Sequence, residues 1–143
     1  MERAILHAAH GEEQGAYSDF EIAVQTAKEQ RDPYYLTVVW INYGAWAVNF
    51  GNIELAKACT EHALLVARQQ HMLWRVAYIC VKYADIMATL GEYETAYEFL
   101  LEALSYDART LVLDYILAVV GIPLALRMKD EVALAKCARL STI

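Results

Sequence analysis

Proline is nearly absent from this 143-residue sequence: only Pro33 and Pro123 occur. Glycine is sparse at six, and no low-complexity tract or strand-like alternation appears. Basic residues are outnumbered, 12 Lys and Arg against 18 Asp and Glu, for a formal charge of −6. No basic block exists to neutralise phosphates, so direct nucleic-acid binding is not expected. The three cysteines, Cys59, Cys80 and Cys137, are too few and too scattered for a disulfide framework; they read as buried free thiols of a reducing compartment. The apolar run from Tyr115 to Leu126 is shorter than the ~20 residues that span a bilayer, so no membrane association is expected. The first residues, MERAILHAAH, carry charge at once and lack a signal core, which makes the cytoplasm the expected compartment. No nucleophile elbow, phosphate loop, dinucleotide fingerprint or HExxH occurs, and no histidine lies near Ser18, Ser105 or Ser141. No catalytic residue is therefore assigned, and no enzyme activity is expected.

What the chain does have is apolar surface. Hydrophobic types make up 58% of the residues and mean hydropathy is +0.23, ample for a folded core. The spacing is helical throughout. Asp32-Pro33 is a helix start, Gly51-Asn52 a stop followed by an N-cap, and Gly91-Glu92 repeats that pattern. Eight helices are predicted, approximately over 1–12, 16–30, 33–50, 53–70, 73–90, 93–106, 109–126 and 130–140. Ser18 and Glu21 form a capping box that would move the second start to 19. Pro123 should kink or end its helix near Ile122.

The chain repeats itself. Trp40, Tyr43, Gly44, Gly51, Ile53, Ala56, Ala63 and Leu64 are matched 40 residues later by Cys80, Tyr83, Ala84, Gly91, Tyr93, Ala96, Ala103 and Leu104. Weaker copies place Ala8, Gly15, Tyr17 and Ala27 before them, and Gly121, Ala133 and Leu140 after them. Small residues at these positions let helices approach closely, and large ones fill the layers between. The pattern resembles the tetratricopeptide repeat, though the repeat-ending proline is missing and Thr60 and Leu100 replace a phenylalanine. Its elongated period is similar to that of large bacterial regulators of the MalT type. The resemblance implies an all-α, right-handed solenoid of antiparallel helix hairpins. One repeat domain would span 1–143, with repeats of approximately 1–32, 33–71, 72–107 and 108–143.

The resemblance also implies a concave binding face, formed by Val38, Ile41, Asn42, Asn49, Tyr78, Val81, Lys82, Asp85, Thr89, Tyr115 and Ile122. The family's carboxylate clamp is not reproduced, since Ile41 and Ala45 stand at two of its positions. An apolar groove with few polar groups suits an amphipathic helix, an extended apolar peptide or a small ligand. Trp46, Trp74, Tyr34, Tyr35, Tyr78 and Tyr115 fall off the core positions, so some are expected at the surface, where such residues mark binding hot spots. The pairs His7/His10 and Cys59/His62 share helix faces but lack metal-site spacing, so neither metal nor cofactor is expected. The apolar stretch through Ile116, Val119, Val120 and Leu124 leaves a C-terminal face that a second copy or a longer solenoid would cover. The expected function is binding of a protein or peptide partner, or self-association. The alternative is the ligand-sensing or signal-integrating part of a multidomain transcriptional regulator.

Overall fold

The computed structural model describes residues 2–106 and 111–138, and side chains from residue 11 onward except that of Leu111. No strand occurs among them: the fold is all-α and built of consecutive helix hairpins. The helices are α1 (Glu2–Glu29), α2 (Pro33–Asn49), α3 (Ile53–Gln69), α4 (Leu73–Thr89), α5 (Tyr93–Ser105) and α6 (Leu111–Ile116). A π turn over Leu117–Gly121 follows, then α7 (Ile122–Arg127) and α8 (Glu131–Cys137). The chain forms two compact units, 1–66 and 67–143.

One turn design joins α1 to α2, α2 to α3, α3 to α4, α4 to α5 and α7 to α8. A left-handed residue closes the helix at Arg31, Gly51, His71, Gly91 and Lys129, with φ between 53° and 80°. At each, the next residue's N–H reaches back to a carbonyl five residues earlier: Asp32 to Ala27, Asn52 to Ala47, Met72 to Ala67, Glu92 to Met87 and Asp130 to Ala125. This is a Schellman motif. The same residue then starts the next helix. Asp32, Asn52 and Asp130 also accept, through their side chains, the N–H of Tyr35, Leu55 and Ala133, as N-caps do. The first four left-handed residues lie 20 apart, because a 17-residue helix and a three-residue turn make up one module. That module explains the 40-residue repeat.

Two expectations fail. The predicted break between residues 12 and 16 is absent, and α1 runs unbroken through it. Gly11 and Gly15 face open space and carry no turn, so they weaken the helix without ending it. Ser18 lies in mid-helix and caps nothing. The first repeat is thus one long helix, not a hairpin. Pro123 disturbs its helix near Ile122, as its position predicts: a π turn over Leu117–Gly121 interrupts the α pattern, which resumes at Ile122. The wide π turn ends at Gly121 and lets Pro123 sit where a missing N–H costs little. The predicted repeat boundary at 107/108, the helix start at 109 and the core position Leu140 lie outside the described residues.

In the first unit, α1 packs on α2. Phe20, Tyr43, Trp40 and His62 stack in sequence with interplanar angles of 14°, 11° and 15°. Tyr43 donates from its hydroxyl to Glu21 at 2.8 Å. Gly44 faces the Ala56 carbonyl, Cys59 and Thr60, the close approach its position predicted. In the second unit, α4 packs against α5, α6 and the π turn. Ala84, Ala96, Leu100 and Ala103 are fully or almost fully buried there. Gly121 lies against Cys137 and Leu100 so closely that a methyl group would collide with the Cys137 sulfur.

Candidate functional site

In the first unit, α2 holds four of the predicted positions. Asn42 and Asn49 are exposed, and Val38 and Ile41 half-buried. Beside them Tyr35, Trp46 and Val48 are 42%, 46% and 41% exposed. Tyr34, Val38, Ile41, Ala45 and Val48 fall on one stripe at helical spacing. The sequence from 33 to 53 contains no charged residue. This uncharged run is longer than the one ending at Leu126, and sequence reading passed over it.

In the second unit, α4 contributes Tyr78 and Lys82, half-buried, and Asp85 and Thr89, exposed. Val81 is a correction. It is fully buried, because α4 packs against α5, α6 and the π turn; beyond its first residue, Leu73, the open side of α4 is the stripe through Trp74, Tyr78, Lys82, Asp85 and Thr89. The Arg75 guanidinium lies 5.1 Å from the Trp74 ring and the Lys82 ammonium 5.6 Å from Tyr78. Farther along, α6, the π turn and α7 expose Val112, Tyr115, Val119 and Leu126, each by more than half. Ile122 is half-buried.

These elements meet at a cleft of about 360 Å³ lined by Asp85, Ala88, Tyr93, Val119, Val120, Pro123, Leu124 and Arg127. Its floor is apolar, with a carboxylate and a guanidinium among its walls. The Arg127 guanidinium carbon lies over the Tyr93 ring, 3.6 Å from its centroid. Of the predicted residues only Asp85 lines this cleft. The π turn adds a residue, so Val119 and Pro123 take the place that straight-helix spacing assigned to Ile122. Tyr93 and Arg127 were missed because they lie 34 residues apart and share no sequence pattern. Nearby, the Tyr97 hydroxyl donates to Asp130. The Ala133 N–H and then this hydroxyl hold that carboxyl below its ordinary value.

Five of the six off-core aromatics reach the surface: Tyr34, Tyr35, Trp46, Trp74 and Tyr115. Among the described residues no cluster of metal-binding side chains occurs. Cys59 is buried, and burial raises its thiol pKa to about 12. His62 stacks on Trp40 at 4.5 Å. The pair His7/His10 lies outside the described side chains. Among the described residues no helix is long and apolar enough to cross a membrane.

A family profile described as anaphase-promoting complex subunit 5 matches residues 1–53 and 64–109, over two thirds of the sequence. The chain belongs to this family. The subunit 5 family is of the helical-repeat kind, which agrees with the hairpins and the repeat seen here, without extending to MalT-type regulators. A similar solved structure is the crystal structure of BtubC (BKLC) from P. vanneervenii, with a TM-score of 0.73 and 23% identity. The match covers 95% of this chain and 57% of that one, so this chain spans little more than half its neighbour's length. No curated protein matches.

Proposed function

We propose that this subunit 5 family member is a non-enzymatic module that binds protein partners through the open stripes of α2, α4 and α6–α7. The observation carrying this reading is the apolar surface left uncovered on α6, the π turn and α7, where Val112, Tyr115, Val119 and Leu126 are 54–68% exposed beside the cleft. A folded chain gains nothing by keeping such a patch wet, and patches of this kind mark protein contacts. A family named for a subunit of a complex supports the same reading.

The test is positional. A photoreactive amino acid placed at Tyr115 or Trp46, in the organism's own cells, should give discrete adducts, while one at Gln25 or Glu98 should not. The partner identified from those adducts, once purified, should bind the Tyr115→Arg variant at least about tenfold more weakly. Equal labelling at all four positions, or unchanged affinity for Tyr115→Arg, would refute the assignment.

A further inference from the structure

We propose that the outward face of α2 docks a cationic amphipathic helix of a partner protein. The partner's apolar stripe would lie along Val38, Ile41 and Val48, with its lysines or arginines meeting Trp46, Tyr35 and the net negative charge of this unit. The proposal rests on α2 being an interaction face and adds the chemistry of what it takes.

Two independent observations select this occupant. The first is the state of the aromatic rings. In the second unit Trp74, Tyr78 and Tyr93 each carry a cation from their own chain, namely Arg75, Lys82 and Arg127. On α2 the exposed rings of Tyr35 and Trp46 carry none among the described residues, and the helix itself has no Lys or Arg to supply one. Aromatic faces attract cations, most strongly for Trp. The second is the division of charge. Residues 1–66 hold four basic and nine acidic side chains, a balance of −5; residues 67–143 hold eight and nine, a balance of −1. On α1, which packs against α2, Glu12, Asp19, Glu21 and Glu29 are exposed, against one exposed basic residue, Lys28, among its described side chains.

An uncharged apolar stripe on a unit with a balance of −5 is complementary to an apolar stripe with basic flanks. A second copy of the same face would set acid against acid. A nucleic acid or an anionic bilayer would be repelled for the same reason. The 17 residues of α2 span about 25 Å at 1.5 Å per residue, enough for a partner helix of similar length.

The test uses the whole chain and three fluorescently labelled 18-residue peptides. All carry leucine at helical i, i+3, i+4, i+7 spacing, with a polar face made only of Lys, only of Gln or only of Glu. By anisotropy the Lys peptide should bind about tenfold tighter than the Gln peptide, more weakly as salt rises, and it should shift the Trp46 indole N–H resonance. A Lys peptide with its leucines scattered around the helix should lose that shift. Ala45 is exposed on the stripe and tolerates a longer side chain, with circular dichroism reporting the fold. Ala45→Glu should tighten the Lys peptide, and Ala45→Arg should weaken it about fivefold. If the Gln peptide binds as well as the Lys peptide and both Ala45 variants weaken binding, the cationic assignment falls while α2 remains a docking face. If no peptide shifts Trp46, both fall.

Discussion

At the scale of single residues, two glycines in similar repeat positions do different work. A Cβ at Gly44 would meet its neighbours at 3.4 Å, an ordinary contact. Gly44→Ala should therefore change stability little, whereas Gly44→Leu overfills the gap and should cost about 1–3 kcal/mol or more in a urea melt. At Gly121 even a methyl group meets the Cys137 sulfur and comes within 3.2 Å of Leu100. Gly121→Ala should cost about 1–3 kcal/mol, and Cys137→Ala in the same chain should restore part of it. Failure of the second change to help would mean that the π turn, not the collision, sets the cost. The small residues were legible in the sequence, because Ala56, Ala63, Ala84, Ala96 and Ala103 recur at fixed offsets and all prove wholly buried. The severity at Gly121 was not, since it depends on how closely α8 comes in. The buried thiols add a pH dependence. Burial, aided by Glu21 at Cys59 and by Glu102 at Cys80, raises both pKa values from 9.0 to about 12. Above pH 9 the unfolded chain loses these protons while the folded chain keeps them. Stability should thus fall between pH 9 and 12, by at most about 1.4 kcal/mol per unit for each thiol. Cys59→Ala and Cys80→Ala should each flatten that alkaline slope.

At the scale of the element, the Schellman turn is the unit that repeats. Its left-handed position favours glycine, which has no Cβ to crowd the carbonyl. Yet Arg31, His71 and Lys129 occupy it with φ near 55°. Each of Arg31→Gly, His71→Gly and Lys129→Gly should raise unfolding stability by about 0.5–1 kcal/mol, while Gly51→Ala or Gly91→Ala should lower it by a similar amount. A loss of stability from His71→Gly would show that its side chain contributes more than its backbone strain costs. These turns divide by legibility. Gly51 and Gly91 announce themselves, and so do the caps Asp32, Asn52 and Asp130. The turn at Arg31 was placed by the Asp32-Pro33 start, and that at His71 to within two residues by the periodicity on either side. The break expected between residues 12 and 16, beside Gly11 and Gly15, failed for the converse reason. Glycine permits a left-handed turn, but the turn forms only where the chain gains contacts by reversing, and those two glycines face open space. The π turn has no local signature beyond Pro123. Its register shift is why Ile122 gave way to Pro123 and Val119 at the cleft.

For the molecule as a whole, the predicted binding positions came from a repeat pattern that records helix-to-helix spacing. That pattern is blind to how many sides of each helix are covered. Of its positions Asp85, Thr89 and Tyr115 are exposed and Val81 is buried, because α4 has neighbours on three sides, whereas α2 leaves a broad stripe open. The same accounting bears on self-association through the face bearing Val112, Tyr115, Val119, Leu126 and Val132, all more than half exposed. Burying those side chains against a second copy favours pairing, and the chain's −6 charge opposes it. The two contributions respond differently to salt. Between about 0.1 and 1 M the Debye length shrinks from about 10 to about 3 Å, which screens the repulsion and leaves the apolar contact intact. Sedimentation at high micromolar concentration should therefore show a dimer whose share grows with salt. Tyr115→Lys with Val119→Lys should return the protein to monomer with its helicity unchanged. A pair held by ionic contacts would do the reverse and dissociate as salt rises. A chain that stayed monomeric at every salt concentration would reserve this face for a different protein, one whose apolar surface fits it better than its own copy does.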